Sequence, residues 1–475
     1  MDWKNPSRPY AIAHRGASAY APEGSIEAYR KASQLGADFW EIDIRMASCK
    51  TLVCCHDANL PDGTAVAKLS AVELAALKVA VPLNEVLMLG LKLGAGIYAE
   101  IKDMNALLPT LDALKSYGIQ RAVIGSFDQN ASRILGNLEC PFLRSVLVPL
   151  GADPFAYAKD TDIVHLCWEN MTQRENVLDN GFFSEAHRLG YKIVLWNEDS
   201  PHHMNMLRHL PVFGICSDRP ELVHPFLPPA NWPLNIVCHR GATEFTPENT
   251  LAAVHCGLAA GFQYIEIDVR TSRDGSLVVM HDETLDRTTN GIGSVSSCNE
   301  DMLLNLDAGS WLSTHFSNET VPSLDNVLEL TKYYGGNLYV EIKSADPKQV
   351  LATIEEWEML PNCFFWSFDY PTMEKLRLMN SDTRVMVRRQ DYSALEEVFQ
   401  NFTPEIIEFT LADDWGEIAY CQARGAHVMI VYSGWDTVIF DCLIEAKPDY
   451  LNLHFPFAFR NHLQQRSELY QDEFL

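Results

Sequence analysis

The stretch that decides the fold is FWEIDIRMASCKTLVCCH at residues 39–56, which recurs as YIEIDVRTSRDGSLVVMH at residues 264–281. In each copy, only a short polar stretch separates two apolar runs. A crossover between parallel strands needs a dozen or more residues, so the two runs must form an antiparallel hairpin. The second copy places Asp274-Gly275 at the turn, a dipeptide typical of hairpins. We therefore predict a hairpin that returns each chain segment toward the acidic residues of its first strand.

The hairpin belongs to a longer internal repeat. The motifs between His14 and His56 recur 225 positions later, and the motif that begins at Glu100 recurs 241 positions later. The second copy therefore carries 16 extra residues after its second histidine. Several motifs that recur in register are hard to attribute to chance, and they indicate two domains of one fold. The recurring residues are His14, Arg15, Glu41, Asp43, His56, Glu100 and Lys102 in the first copy, and His239, Arg240, Glu266, Asp268, His281, Glu341 and Lys343 in the second.

The length and composition also fit two globular domains. A chain of 475 residues exceeds what a single core usually fills, and 47% hydrophobic with 21% charged residues is ordinary for a folded chain. The proline-rich segment at residues 225–233 is typical of a stiff linker. We predict a first domain at residues 1–228 and a second at 234–475, with the boundary near residue 230.

Each half alternates short apolar runs with longer helix-like stretches, the pattern of βα units. The first half has nine such runs, and setting aside the returning hairpin strand leaves the eight parallel strands of a TIM barrel. The predicted fold class is therefore α/β, with two tandem (β/α)8 TIM barrels, each extended by a β-hairpin after strand 2. A small cap insertion is predicted in the second barrel at about residues 283–322. The nine runs are 10–14, 39–45, 52–56, 97–102, 122–126, 143–148, 163–167, 192–196 and 213–217.

The charge balance argues against one class of partner. With 37 Lys and Arg against 63 Asp and Glu, the formal net charge of −26 repels polyanions, and no nucleic-acid partner is expected. The N-terminus lacks an apolar core of the signal-peptide type, and no run of 18 apolar residues occurs, so we expect neither a signal peptide nor a transmembrane segment. Many of the 12 cysteines lie in apolar runs, which favours reduced thiols and a cytoplasmic location. The oligomeric state stays open.

The acidic residues of each copy form a candidate metal site. Glu41 and Asp43 are two residues apart on one strand and share a face, and Glu100 follows on another strand. Strand C-termini are where barrel active sites form. Three carboxylates suit a hard divalent cation, so we predict Mg²⁺ or Ca²⁺ as the cofactor. The corresponding ligands in the second copy are Glu266, Asp268 and Glu341.

Histidines and basic residues complete a candidate phosphodiesterase site. One histidine can deprotonate a nucleophile while another protonates the leaving alkoxide. A neighbouring arginine and lysine can neutralise a phosphate. A turn centred near Cys49-Lys50 sets His56 opposite Asp43, and the same pairing sets His281 opposite Asp268. The candidate catalytic residues are His14, His56, His239 and His281, and the candidate phosphate-binding residues are Arg15, Lys102, Arg240 and Lys343.

These motifs together resemble the signature of the glycerophosphodiester phosphodiesterase family, in the PLC-like phosphodiesterase TIM-barrel superfamily. The strings that carry the resemblance are His-Arg-Gly, Pro-Glu-Asn-Thr (247–250), Glu-Ile-Asp-Val (266–269), His-Asp (281–282), Leu-Asp-Arg-Thr (285–288), Glu-Ile-Lys (341–343) and Ser-Phe (367–368). The resemblance implies a barrel that hydrolyses small glycerophosphodiesters to an alcohol and sn-glycerol 3-phosphate. It also implies that the two histidines are the acid/base pair and that the three carboxylates bind the metal. Attack by water and attack by a neighbouring substrate hydroxyl both stay open.

The two copies depart from the family pattern in opposite places. The first reads Pro-Glu-Gly-Ser at residues 22–25 and lacks most of the cap insertion, but it retains Trp196 and a family-like ending at residues 216–220. The second has an intact front, but Tyr432 stands where the family has Trp, and its ending at residues 452–456 differs. The intact front favours the second copy as a catalytic site.

Two alternative functions stay open from the sequence. One is a lysophospholipase D-type phosphodiesterase that acts on lipid substrates, since a barrel with a short cap can leave its pocket open. The other is that one barrel is a non-catalytic binding or regulatory module, because retained ligands do not guarantee a working pocket.

Overall fold

The computed structural model describes residues 2–168 and 180–471. The chain divides into two compact units, Met1–His224 and Pro225–Leu475. The division falls at the start of the proline-rich segment, a few residues before the boundary expected near residue 230. Each unit is a closed barrel of eight parallel strands with additional short strands. The two tandem α/β barrels predicted from the sequence are confirmed.

The first barrel closes because strand β1 pairs with both β10 and β2. The remaining barrel strands follow in the order β9, β8, β7, β6 and β5, and the short strands β3 and β4 extend β2 in antiparallel pairs. The strands are β1 Tyr10–Ala13, β2 Phe39–Met46, β3 Leu52–Cys54, β4 Val81–Pro82, β5 Gly96–Ile101, β6 Ala122–Ser126, β7 Leu143–Val148, β8 Ile163–Cys167, β9 Lys192–Trp196 and β10 Gly214–Ser217. The α-helices described are Ile26–Gln34, Ala71–Ala76, Leu83–Leu93, Leu107–Ser116, Gln129–Asn137, Pro154–Tyr157, Asn180–Leu189 and Pro201–Leu207.

The second barrel has the same topology. Strand β11 pairs with β19 and β12, and the antiparallel strand β13 extends β12. The strands are β11 Asn235–Cys238, β12 Tyr264–Thr271, β13 Leu277–Val279, β14 Asn337–Ile342, β15 Cys363–Trp366, β16 Arg384–Arg388, β17 Ile406–Phe409, β18 His427–Tyr432 and β19 Tyr450–Leu453. The α-helices described are Leu251–Ala259, Glu300–Leu303, Leu324–Tyr334, Pro347–Glu356, Tyr370–Met379, Leu395–Asn401, Ile418–Ala423, Thr437–Ala446 and Pro456–Gln471.

The barrel interiors are filled by large side chains from alternate strand positions. In the second barrel, Tyr339 stacks on Phe364 with ring centroids 4.6 Å apart, and Tyr264 and Tyr450 contact the same ring. Inward-facing residues at the lower end of the strands therefore form a packed floor. The next inward positions along each strand form the mouth, and the charged residues lie there.

The predicted hairpin is present in both barrels. In the first, Ile44 pairs with Cys54, so the turn is centred on Cys49 and has three residues. Its last residue, Lys50, has φ of 58°, and Gly275 at the equivalent place has φ of 93°. A left-handed residue at the end of a three-residue loop is a common hairpin geometry.

The three-residue loop shifts the predicted pairing by one position. The backbone N–H of Cys55 donates to Asp43 O at 2.9 Å, and that of Met280 donates to Asp268 O at 2.8 Å. The prediction that His56 lies opposite Asp43 and His281 opposite Asp268 was therefore wrong by one residue. Each histidine follows the paired residue, beyond the end of its strand.

A small lobe follows the hairpin in each barrel. In the second barrel, residues 283–322 pack around an apolar nucleus that includes Val295 and Leu303. The first barrel retains the base of this lobe, where Val66 and Leu74 occupy the corresponding places 229 positions earlier. The short helical turn Thr314–Phe316 belongs to the additional part of the second barrel's lobe. The first mouth is therefore less covered on this side.

Two further findings concern the chain as a whole. Among the helices described, none combines the length and the apolar character that a bilayer-spanning helix requires. All 12 cysteines are free thiols.

The packed floor yields a stability prediction. Phe364→Ala leaves a cavity beneath Tyr339, so we expect the free energy of unfolding of the second barrel to fall by about 3–5 kcal/mol. Urea unfolding followed by tryptophan fluorescence measures the change. Tyr333→Ala, which truncates a ring that is 57% exposed, is the control and should change the free energy by at most about 0.5 kcal/mol. Equal effects of the two substitutions would contradict this account of the floor.

Candidate active sites

The His-Arg-Gly segment ends the first strand of each barrel in a tight turn. Arg15 has φ of 54° and Gly16 φ of 84°, both left-handed. A Cβ on Gly16 would lie 2.7 Å from the backbone of Ala28, so only glycine fits this position. The turn points the Arg15 N–H at Glu41 Oε2, 2.9 Å away. The second barrel repeats these features, and the equivalent hydrogen bond from the arginine N–H to Glu266 is 2.6 Å long.

Three buried carboxylates meet at the mouth of each barrel. In the first, Asp43 and Glu100 are neighbours across β2 and β5, and Glu41 lies two residues before Asp43 on the same face. Oxygen atoms of the three groups lie within 4.8 Å of one another. The second barrel brings Glu266, Asp268 and Glu341 together in the same way. The structure thus unites each set of residues predicted as metal ligands.

The predicted phosphate-binding residues contact these carboxylates. Lys102 Nζ lies 3.1 Å from Asp43 and 2.5 Å from Glu100, and Arg15 Nε lies 3.1 Å from Asp43. In the second barrel, Lys343 Nζ lies 3.3 Å from Asp268 and pairs with Glu341, while Arg240 Nε lies 3.6 Å from Asp268. Each mouth therefore combines three acidic groups with two basic ones.

Burial and mutual repulsion shape the titration of the carboxylates. Burial raises the pKa of Glu41 well above its usual range, and the charges of Asp43 and Glu100 raise it further. Burial raises the pKa of Glu266 well above its usual range in the same way. Burial and then Asp268 raise the pKa of Glu341 to about 7. Burial and like charge thus favour the protonated forms of Glu41 and Glu266 over their ionised forms.

The donor set fits a divalent cation. Glu266 Oε1 is buried and has no hydrogen-bond partner among the residues described. Asp268 Oδ1 and Glu341 Oε1 also make no hydrogen bond of good geometry, although both lie near Lys343. Buried carboxylate oxygens need a partner, and one oxygen of each of the three carboxylates lies within 4.8 Å of the others, which suits Mg²⁺ or Ca²⁺.

The first histidine of the first barrel is held on both nitrogens. His14 Nδ1 lies 2.7 Å from Asp218 Oδ1, and the indole N–H of Trp196 donates to His14 Nε2 at 2.9 Å. Ser18 also donates to Asp218, at 2.8 Å. Burial alone would raise the pKa of Asp218, but the hydrogen bond from His14 and the charges nearby lower it. Asp218 and Trp196 therefore fix both the orientation and the tautomer of His14.

The first histidine of the second barrel lacks these partners. The strand register places His454 where the first barrel has Asp218, and the His454 ring stacks on His239 with centroids 4.0 Å apart. The register also places Val431 where the first barrel has Trp196, whereas the sequence offset paired that tryptophan with Tyr432. His239 Nδ1 is buried and makes no hydrogen bond within the described ranges. Burial lowers the pKa of His239 well below its usual range, and His454 lowers it further.

The second histidine is held by an acidic neighbour in both barrels. His56 Nδ1 lies 2.8 Å from Asp57 Oδ1, and His281 Nδ1 lies 2.6 Å from Asp282 Oδ1. In the second barrel the cap adds Arg287, whose Nε donates to Asp282 at 2.7 Å. Hydrogen bonds from Arg287 outweigh burial and hold the pKa of Asp282 far below its usual value.

Sequence reasoning missed one pair of positioning residues. Arg45 donates through Nε and Nη2 to His56 O at 2.9 and 2.7 Å, and Arg270 donates to His281 O at 3.0 and 2.5 Å. These bonds hold the backbone of the second histidine at the mouth. The repeat contained the signal, because Arg270 follows Arg45 by the same 225 positions as the catalytic candidates.

Comparison with known proteins assigns the chain to a family. The model of the glycerophosphoryl diester phosphodiesterase family matches residues 14–116 and 239–408. The two segments span more than half of the chain, and each contains both histidines and all three carboxylates of one barrel. The chain belongs to this family. It is therefore a phosphoric diester hydrolase, and its relatives support glycerophosphodiester phosphodiesterase activity.

Individual relatives match about one barrel of the chain. A glycerophosphodiester phosphodiesterase of Caldanaerobacter subterraneus subsp. tengcongensis is 30% identical over 192 residues, which cover 36% of this chain and 79% of the relative. One from Bacillus subtilis is 34% identical over 137 residues, which cover 26% of this chain and 46% of the relative. The crystal structure of a glycerophosphodiester phosphodiesterase from Agrobacterium tumefaciens C58 is 36% identical, with a TM-score of 0.46, and the match covers 48% of this chain and 99% of that chain.

The altered front motif of the first glycerophosphodiesterase-like barrel has a local consequence. In the second barrel, Asn249 Nδ2 donates to Asp268 Oδ2 at 2.8 Å, and Glu248 pairs with both Arg240 and Arg287. In the first barrel Gly24 stands where Asn249 would be, so Asp43 lacks an amide donor from this position. Each family domain thus retains a different part of the surroundings of the candidate metal site.

The raised carboxyl pKa values predict how stability depends on pH. Glu341 binds its proton more tightly in the folded than in the unfolded chain, so it stabilises the fold below about pH 4 and loses this contribution as pH rises through about 7. With a chelator present, we expect the melting temperature to fall between about pH 5 and pH 8, and the fall to be smaller in Glu341→Gln. Calorimetry measures both. Glu358→Gln removes a side-chain carboxylate that is 83% exposed and should leave the slope unchanged; equal slopes in all three proteins would contradict this assignment.

Proposed function

We propose that this chain is a metal-dependent hydrolase of small glycerophosphodiesters, which yields an alcohol and sn-glycerol 3-phosphate in each barrel. The observation that carries the proposal is the duplicated cluster of three buried carboxylates, accompanied in each mouth by two basic residues and two histidines. Family membership supports the substrate class. The proposed function needs no residue from outside a single barrel.

The proposed ligands of the cation are the three carboxylates of each mouth. When bound, Mg²⁺ or Ca²⁺ would neutralise charge on the phosphoryl oxygens and keep the carboxylates ionised. Arg15 and Lys102 in the first barrel, and Arg240 and Lys343 in the second, are the proposed phosphate-binding residues. Their contacts with Asp43, Glu100, Asp268 and Glu341 support this role.

The proposed proton transfers follow from the hydrogen bonds of the histidines. Because His14 Nδ1 donates to Asp218, Nε2 carries the lone pair, and it can take the proton of the nucleophile when the substrate displaces the Trp196 indole N–H from it. Asp218 then stabilises the imidazolium that forms. Asp57 orients His56, which is the proposed proton donor to the leaving alkoxide. His239 and His281 are the corresponding pair in the second barrel.

The contacts of the first histidine favour the first barrel as the stronger catalyst. Both of its histidines have a carboxylate partner, whereas among the described residues of the second barrel only His281 has one. The intact front motif of the second barrel favours the opposite order. We give greater weight to the histidine contacts, because the tautomer of a general base decides whether it can accept a proton at all.

A second candidate function concerns the second barrel alone. There His239 stacks on His454, and its Nδ1 makes no hydrogen bond within the described part of the chain. This arrangement favours a barrel that binds glycerophosphodiesters and turns them over slowly. In that case the second barrel would act as a binding or regulatory module for the first.

Paired histidine variants test the assignment of the sites. His14→Ala with His56→Ala should lower glycerophosphodiester hydrolysis at least about 100-fold if the second barrel only binds, and less if both barrels catalyse. His239→Ala with His281→Ala should leave more than half of the activity. The assay uses a water-soluble glycerophosphodiester and, in parallel, lysophosphatidylcholine.

The controls are His202→Ala with His209→Ala, two exposed histidines that are not among the candidate site residues. Full activity of the His14 and His56 variant, together with no activity of the His239 and His281 variant, would make the second barrel the stronger catalyst. Alcohol release from the lysolipid alone would contradict the substrate class and favour the lysophospholipase D-type function. Full activity in both pairs would contradict the histidine mechanism.

Metal dependence yields a separate prediction. A chelator should abolish hydrolysis, and Mg²⁺ or Ca²⁺ should restore it, because the carboxylates repel one another without a cation. Since the cation competes with protons on Glu41, Glu266 and Glu341, its affinity should rise between about pH 5.5 and pH 7.5. Titration calorimetry in two buffers of different ionisation enthalpy measures both the affinity and the protons released. Undiminished hydrolysis in the chelator, or binding without proton release, would contradict the assigned ligands.

A further inference from the structure

The two barrels share the metal-binding half of the mouth and differ in the other half. In the second barrel, Trp366 is the strand neighbour of Glu341, whereas in the first barrel the strand neighbour of Glu100 is Gly125. On the next strand, Arg388 stands 241 positions after Leu147. An aromatic and cationic wall therefore replaces a small apolar one, directly beside the carboxylates.

The wall consists of Trp366, Phe368 and Arg388. The Arg388 guanidinium lies 4.8 Å from the centre of the Trp366 ring and 4.7 Å from that of Phe368. Lys343 Nζ, which contacts Asp268, lies 5.4 Å from the Phe368 ring. The wall is thus continuous with the proposed phosphate site. The Phe368 side is open to solvent, since this residue is 62% exposed.

An ion pair holds the guanidinium in place. Arg388 donates through Nε and Nη2 to Asp391 at 2.9 and 2.7 Å, and the Tyr370 hydroxyl donates to the same carboxylate at 2.8 Å. Arg388 Nη1 makes no hydrogen bond among the described residues. Because Asp391 offsets much of the charge, Arg388 acts here chiefly through its position: it covers the two rings and keeps the Nη1 amino group as a hydrogen-bond donor.

The wall can discriminate between alcohol groups of the substrate in two ways, through its covered aromatic rings and through the Nη1 donor of Arg388. Quaternary ammonium groups such as choline bind to open aromatic faces, and here both rings already contact a guanidinium. A polyol can instead accept a hydrogen bond from Nη1. We propose that Arg388, with Trp366 and Phe368, is the specificity-determining group of the second barrel and selects polyol esters over choline esters. This inference rests on the proposed function.

The first barrel lacks this selection. Leu147 Cδ1 lies 3.1 Å from the place where a Cβ on Gly125 would be, so an apolar side chain fills the corner that the wall occupies in the second barrel. Phe127, the counterpart of Phe368, is 39% exposed, and the cation nearest its ring is Lys102 Nζ at 6.0 Å, among the residues described. Among the described residues no guanidinium stacks on the Phe127 ring, so the first barrel can receive choline there, and the two barrels divide the glycerophosphodiesters by alcohol.

Turnover of two esters by one barrel at a time tests the inference. The second barrel is assayed in full-length protein with His14→Ala and His56→Ala, on glycerophosphoglycerol and on glycerophosphocholine. We expect kcat/KM to be higher for the polyol ester. Arg388→Leu, which copies the residue of the first barrel, should raise the choline-to-polyol ratio of kcat/KM about tenfold. The first barrel, assayed with His239→Ala and His281→Ala, should show the higher ratio without further change.

Two variants separate this role from a general effect of charge. Arg424 lies 3.4 Å from the Tyr420 ring, before β18 and hence at the opposite end of the barrel, and Arg424→Leu should leave the ratio unchanged. Arg388→Lys keeps the charge but loses the planar stack, and we expect it to raise the ratio by an intermediate factor. An unchanged ratio in Arg388→Leu, or an equal rise in Arg424→Leu, would overturn the inference.

A binding measurement keeps the inference separate from the proposed function. Titration calorimetry with the same two esters and Mg²⁺ compares the histidine variant with and without Arg388→Leu, so that any binding by the first barrel is common to both. If no ester is hydrolysed but Arg388→Leu tightens glycerophosphocholine relative to glycerophosphoglycerol about tenfold, the proposed function fails and the selection stands. If the esters are hydrolysed but Arg388→Leu changes neither the choline-to-polyol ratio of kcat/KM nor that of the binding affinities, the selection fails and the proposed function stands.

Discussion

The burial of three carboxylates at one end of a parallel barrel is the constraint on which each site depends. Bringing like charges together in a poorly hydrated place raises their pKa values, so the arrangement is stable only if protons, basic side chains or a metal ion compensate. Lys102 and Lys343 supply part of this compensation. The left-handed His-Arg-Gly turn supplies another part, because it directs a backbone N–H at the first glutamate. The surrounding structure keeps these groups close together.

The duplication shows which surroundings of the carboxylates can change. Strands β1, β2 and β5 and their counterparts retain the same charged side chains, because each member of the cluster compensates another. The side chains that the remaining strands place at the mouth are not needed to compensate the charge of the three carboxylates. There the first barrel has an indole and a carboxylate around His14, and the second has an arginine on two aromatic rings. The front motif and the cap differ as well, so the carboxylates and their basic partners are shared while much of their surroundings has changed.

Much of this architecture could be predicted from the sequence. The hairpin, the eight-strand count and the grouping of Glu41 with Asp43 and Glu100 follow from local patterns that repeat. The predicted cross-strand pairing of each second histidine with an aspartate was wrong by one residue. The pairing depends on the length of the hairpin loop, and that length depends on the left-handed backbone angles of Lys50 and Gly275. The partners of His14 were not predictable, because Trp196 and Asp218 come from strands about 200 positions away whose register the sequence pattern leaves loose.

The sequence by itself determined the fold class, the two-domain organisation and the residue types of each site, because a repeated pattern of strands and charged residues is written along the chain. Tertiary structure alone decided which groups surround those residues. Closure of the barrel sets Val431 rather than Tyr432 in the place of Trp196, and it brings His454 onto His239 and Arg388 onto Trp366. The physical reason is that strand register depends on packing around the whole barrel, and a shift of one residue turns a side chain from the mouth to the opposite face.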